Sequence, residues 1–280
     1  MNVIADAYVA ACLAELDALK PGNVHRHAEG HGMTVADFET SARVSAAGVA
    51  RQGARVGVRV WQAVAATRAA VGQNTNLGIV LLCAPLATAA ERGEPLAAVL
   101  DGLDDDDARA VFAAIALANP GGLGAVEQND VRVPPAVPLL EAMAAAADRD
   151  LLARQYISGF ADVLGVGLPT YLRVRAAGAD AAQATEAVYL AFLAAEPDTH
   201  IARKFGRETA EAVRLDAAAR IGRLGGLDAA ARHAALSVWD GELKARGLNP
   251  GATADLTVAS VFAAYLSSMP DERLAASTQQ

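Results

Sequence analysis

The chain of 280 residues carries a formal charge of −8 and a pI near 5.1, which argues against a general nucleic-acid binder, since such proteins present a basic face that displaces counterions from phosphates. Hydrophobic residues make up 53% of it with few aromatics, a composition that fits one large helical domain near the upper size for a single core. The two cysteines, Cys12 and Cys83, lie in apolar runs and offer no disulfide framework.

Val3 to Leu19 has helical spacing and stops at Lys20-Pro21, because proline disfavours helix in the residue before it. No basic leader precedes an apolar run at the N-terminus, so no secretory signal is read and the cytoplasm is the expected location. The first loop runs to Met33 and holds Lys20, Gly22, Asn23, His25, Arg26, His27 and His31. Three histidines so close suggest a metal, but His-x-His-x3-His without cysteine matches no common zinc pattern. Phosphate contact or proton exchange by an imidazole near pH 7 fits better, with Lys20 and Arg26 as fixed charge.

Thr34 with Asp37 predicts an N-cap for a helix that could run to Val71, weakened at Gly48, Gly53 and Gly57, where glycine permits close helix approach. Asn74-Thr-Asn-Leu-Gly78 then opens an apolar helix, capped by Thr75 or Asn76 and ending near Gly93. The free amides of that start, with Asn74, Thr75 and Gly78 beside them, form a seat for an anion, although the segment is no Walker loop. Leu77 to Ala90 is too short to span a bilayer and contains Pro85, so it reads as a buried helix. Asp104 to Asp107 read as helix caps rather than as a catalytic run.

Asn119 to Pro138 is the longest irregular segment, with Gly122 in its glycine run a candidate phosphate contact. Helices are predicted over Leu139 to Asp148, Leu151 to Ala177 with a bend at Pro169, and Ala181 to Ala195. Asp198-Thr-His-x2-Arg-Lys then places Asp198, His200, Arg203 and Lys204 within about two turns of a helix start, a magnesium-type carboxylate beside phosphate-binding cations. Gly225-Gly226 ends that helix, Asp228 caps another to Arg246, and the last begins after Pro250 with Gly251, Thr253 and a partly buried Asp255. No strand is predicted, so the fold class is all-α.

Six of the seven asparagines and two of the three lysines fall in these Gly- or Pro-marked segments. Where arginine dominates the cations, Lys20 and Lys204 mark places that want a compact ammonium. Scarce polar residues beside helix ends predict a loop-built site on a helical scaffold, and hence a ligand-binding enzyme.

Glu15 followed by Lys20-Pro-Gly22, then Asn74-Thr75-x2-Gly78, Gly121-Gly122-x-Gly124, Asp198-Thr199 and Gly251-x2-Ala254-Asp255-Leu256, in this order over nearly the whole chain, resembles the triphosphoribosyl-dephospho-CoA synthase family. The resemblance implies an all-helical transferase with ATP as ribosyl donor. The 2′-hydroxyl of 3′-dephospho-CoA attacks the ribose anomeric carbon, adenine leaves, and the triphosphate stays on the product. Such chemistry needs magnesium and cations on the triphosphate, a base for the hydroxyl, and donors to the departing base. The candidates are Asp198 and Asp255 as magnesium or ribose carboxylates, Lys20, Arg203 and Lys204 as phosphate ligands, and His25 or His200 as the proton-handling group, with Glu15 as a further acid.

Three positions depart from the family pattern: His25 and Gly32 stand where acids are usual, and Leu77 where a lysine is. The same features are similar to a branch associated with tetrahydromethanopterin-type one-carbon cofactors, so one alternative is a nucleotide-dependent step of pterin cofactor biosynthesis. A second is a non-catalytic helical interaction protein whose loops only cap helices. The expected partners are small nucleotides, not nucleic acid or membrane, with a homodimer through helices such as Ala46 to Ala70 a further expectation.

Overall fold

Helix-breaking residues divide an alanine-rich chain into short rods, and the computed structural model, which describes residues 2–120, 135 and 137–269, shows fourteen α-helices and one π turn among them. Extended pairing among the described residues is confined to two isolated bridges in the first loop. Helix α1 (Val3–Asp17) is capped by the Asn2 side chain and gives way to extended backbone at Ala18, just before the proline.

The helix expected from Thr34 to Val71 is two. The capping box of Thr34 and Asp37 starts α2 (Val35–Val49), and a turn with Gly53 at φ +70° reverses the chain into α3 (Val56–Val71). Two of the three glycines expected to allow close approach do so: a Cβ on Gly48 would stand 2.5 Å from the Ala63 amide nitrogen, and one on Gly57 2.6 Å from Asp107 Cα, whereas Gly53 faces open space and serves the turn.

Helix α4 (Leu77–Arg92) is the buried apolar helix expected, closed by left-handed Gly93. Its Pro85 has no N–H for the Leu81 carbonyl, and the Tyr156 hydroxyl supplies the missing donor at 2.7 Å. Short α5 (Leu96–Asp101) leads to α6 (Asp105–Ala118), which the aspartates cap as expected. Asp107 also accepts the Gly57 amide at 2.7 Å and so ties α6 to α3.

Helices α7 (Leu139–Ala146) and α8 (Leu151–Ser158) form a hairpin. The long helix expected from Leu151 breaks at Gly159 and Phe160, both at positive φ, and resumes through the π turn Val163–Gly167 into α9 (Leu168–Ala176). Pro169 therefore stands at the second position of α9, directly after the π turn, in helical backbone that runs on without a break. After α10 (Ala181–Ala195), Gly206 at φ +90° splits another expected helix into α11 (Thr199–Phe205) and α12 (Arg207–Leu224), followed by α13 (Ala229–Ala245) and α14 (Gly251–Ser267).

The core gathers around α14, which packs on α1, α4, α9 and α10. A second apolar cluster, including Tyr189, Leu193, Ile201, Val213 and Trp239, joins α10 to α13. Between them the starts of α4, α11 and α14 come together.

Candidate active site

A cavity of about 730 Å³ lies where those helix starts meet the first loop and the α7–α8 hairpin, a volume typical of small-molecule sites. Asn23, Asn74, Asn76, Asn119 and Asn249 all line it. These are five of the six loop asparagines; Asn129 and Gly122 lie outside the described residues. The separated polar segments thus converge on one space.

From Ala252 to Ala264 every residue of α14 is buried except Asp255. Its carboxylate lines the cavity and rests against Gly78, where any side chain would collide with Oδ2. No hydrogen-bond donor among the described residues reaches it. Burial, and then the charges of Asp198 and Glu15, push its pKa well above the usual carboxylate range, with Arg203 opposing. An acid already occupies the start of α4, so the anion seat expected at Asn74 to Gly78 is instead the backing of Asp255. Asn74 Oδ1 caps α4 by accepting from the Leu77 amide at 3.1 Å, while Thr75 is bonded to Ser41 and Asn76 to Ser45.

A second glycine plays the same part for His200. The ring packs on Gly251, and both line the cavity. Burial, then Lys204 and Arg203, bring the His200 pKa down to about 3, so the imidazole is neutral at physiological pH.

Several expected site residues prove to be supports. Lys20 has no exposed surface, and its ammonium donates to Glu15 Oε1, to Asn23 Oδ1 at 2.9 Å and to the Val24 carbonyl at 2.7 Å. All three of its donors are satisfied, so it does not reach a phosphate. It holds Glu15 and Asn23, which do line the cavity, and Asn23 in turn donates to Asn249 Oδ1 at 2.7 Å. Burial pushes Glu15 up and Lys20 down, each opposed by its partner's charge.

Asp198 is equally committed. Oδ1 accepts the amides of His200 at 2.8 Å and Ile201 at 3.0 Å, and Oδ2 accepts both the amide and the hydroxyl of Thr253 at 2.8 Å. With its four acceptor positions taken and 1% of its surface exposed, Asp198 joins α11 to α14 and stands outside the cavity lining together with Thr253. The pair Asp198 and Asp255 is therefore not a chelate. Among the described residues no cluster of three or more His, Cys, Asp or Glu side chains is arranged for a metal.

His25, 1% exposed, also lies outside the cavity. Its Nδ1 accepts the Ala28 amide at 3.2 Å, which leaves the proton on Nε2, 3.4 Å from Asp240 Oδ2. Asp240 Oδ1 takes the Gly22 amide at 2.8 Å, so Gly22 and His25 shape the first loop rather than touch substrate. Arg26 is exposed and pairs with Asp17 and Glu39 away from the site. The first-loop histidine that does line the cavity is His31, bonded to the Gly22 carbonyl at 2.8 Å.

Arg203 and Lys204 line the cavity as expected, Arg203 donating to Asp150 Oδ2 at 2.8 Å. Arg68 and Arg149 join them, and nothing in the sequence had distinguished these two from the other arginines.

A family model described as CitG, ATP:dephospho-CoA triphosphoribosyl transferase, matches residues 1–273. The chain belongs to the CitG family. It is accordingly a transferase that uses ATP as triphosphoribosyl donor and dephospho-CoA as acceptor. A solved structure from Archaeoglobus fulgidus, described as a candidate triphosphoribosyl-dephospho-CoA synthase, is similar over 83% of this chain and 99% of that one. With a TM-score of 0.65 and 23% identity, that likeness shows a shared fold. No curated protein matches the chain. Of the three positions singled out in the sequence as unusual, Leu77 is buried on the cavity wall, His25 is packed against Asp240, and Gly32 at φ +73° faces open space.

Proposed function

We propose that the triphosphate of ATP lies against Arg149, Arg203 and Lys204, with the ribosyl carbon beside Asp255. The single observation that carries this reading is the Asp255 carboxylate, seated on Gly78 within a cavity lined by amides and cations. Burial favours the neutral form of Asp255, and the positive charge that builds on the ribose as the bond to adenine stretches favours its carboxylate, which in a water-poor site stabilises that charge strongly. Asn23, Asn249 and neutral His200 supply hydrogen-bonding groups to the hydroxyls and to the departing base without adding charge. Glu15, held by Lys20, is a second acid on the same wall.

Magnesium is part of this reading. It usually binds through one or two carboxylates together with substrate phosphates, and Asp255 is the acid that would hold it. The ion would supply charge neutralisation on the triphosphate.

The test is release of free adenine from ATP in the presence of magnesium and dephospho-CoA. Asp255→Asn should lower turnover by about 10²–10⁴-fold while the helical circular dichroism is retained. Turnover within threefold of the parent would remove Asp255 from the reacting centre. The apolar Leu77 on the wall makes it worth running the same assay with a pterin or aryl riboside as acceptor.

A further inference from the structure

The polar side of the cavity accounts for a triphosphate and a ribose, but half of the lining is of another kind. The inner faces of α6, α7 and α8, with part of α4, present Leu81, Phe112, Ile115, Met143, Leu152 and Tyr156. Ile115, Met143 and Leu152 are only partly buried, and such side chains beside a cavity mark a place where an apolar surface of a ligand is received.

The order of these groups is informative. Arg149 and Asp150 form the tip of the α7–α8 hairpin, and the tip is fastened to α11 by the bond from Arg203 to Asp150 and by the Leu151 amide on Thr199 Oγ1 at 3.2 Å. The cations are therefore gathered at this end. Asp255 lies close enough to Arg203 to feel its charge, and at Gly78 a Cβ would meet the Asp255 carboxylate and also Leu152 Cδ2, the latter at 2.7 Å. Leu152 is the first member of the apolar wall. Cations, carboxylate and apolar wall thus follow one another as phosphate, ribose and base do in a nucleotide.

We infer that the wall of α6, α7 and α8 is the base subsite of the donor, receiving the flat, uncharged purine of ATP. The inference rests on ATP being the donor and on Asp255 facing its ribose. The group beyond the ribose, seen from the triphosphate, is the base, so the wall that begins beside Asp255 falls to the purine rather than to the acceptor. Burial of its two faces contributes by removing apolar area from water, and the phenyl ring of Phe112 adds aromatic contact.

Steady-state adenine release by Ile115→Glu tests this. An acid on the wall should raise the KM for ATP by about tenfold or more and leave the KM for dephospho-CoA unchanged. Adenosine, which lacks phosphates, should lose the part of its inhibition of this variant that is competitive with ATP, while inorganic tripolyphosphate keeps its own. Arg203→Ala should show the reverse pattern. If Ile115→Glu fails to fold by circular dichroism, Met143→Gln is read in the same way. A rise in the KM for dephospho-CoA alone, or unchanged adenosine inhibition of the kind competitive with ATP, overturns the inference. Absence of any adenine release from ATP by the parent protein would instead sink the proposed function.

Discussion

At the scale of single residues, what a side chain does here is set by how many of its bonding positions are already taken. Lys20 and Asp198 have the identities of ligands, but every donor of one and every acceptor of the other is occupied inside the protein. Sequence shows where scarce groups stand, not how many of their bonds are spent. Asparagine was the better guide, because its amide bonds in two directions and can hold a loop while facing a cavity, as Asn23 and Asn74 do. Lys20→Met should therefore act first on stability. Leaving Glu15 buried without its cation should cost about 3–5 kcal/mol in chemical denaturation. A stability change under 1 kcal/mol with a raised KM for ATP would restore Lys20 to the phosphate site.

At the scale of elements, starts were legible and several interruptions were not. Thr34 with Asp37, the run Asp104 to Asp107, and Asp228 cap helices as their short polar side chains predict. Gly53, Gly159 and Gly206 each turn at positive φ inside what reads as one continuous helix. A glycine in a helical pattern is compatible with either conformation, and tertiary packing decides. Pro85 shows the converse, a breaker that breaks nothing because Tyr156 bonds the orphaned Leu81 carbonyl. Tyr156→Phe should cost about 1–3 kcal/mol in thermal or chemical denaturation, since a buried acceptor is left unpaired. In a Pro85→Ala background, where the backbone donor is available again, the same change should cost clearly less.

At the scale of the whole molecule, the meeting of the loops in one cavity follows from the all-α packing, and the family pattern was legible in their order. The apolar half of the cavity was not, because Ile115 and Met143 have the spacing and character of core residues, and only their partial burial beside the cavity, among the described residues, distinguishes them. Acid stability depends on another long-range contact. Arg59, fully buried, donates to the carbonyls of Ala54 at 3.1 Å and Val49 at 2.9 Å and pairs with Glu91, so it ties the α2–α3 turn to the end of α4. Burial raises the Glu91 pKa, but the bonds from Arg59 and the Gly53 amide outweigh it and hold it below the ordinary 4.5. A carboxyl depressed in the folded state stabilises above its unfolded pKa, and that stability is lost as pH falls through the folded value. Glu91→Gln should lower stability at pH 7 by about 1.5–3 kcal/mol and flatten the loss below pH 4.5, measured as the difference between the two melting curves. Glu15, Asp198 and Asp255, all raised, act in the opposite direction in both proteins, so the difference isolates Glu91. The seat of Asp255 has its own consequence for improvement by selection. Replacing a helical glycine with alanine ordinarily strengthens a helix by about 0.5–1 kcal/mol. At position 78 that gain is closed as long as position 255 carries its acid, so a selection for heat resistance alone would reach it only after discarding the site.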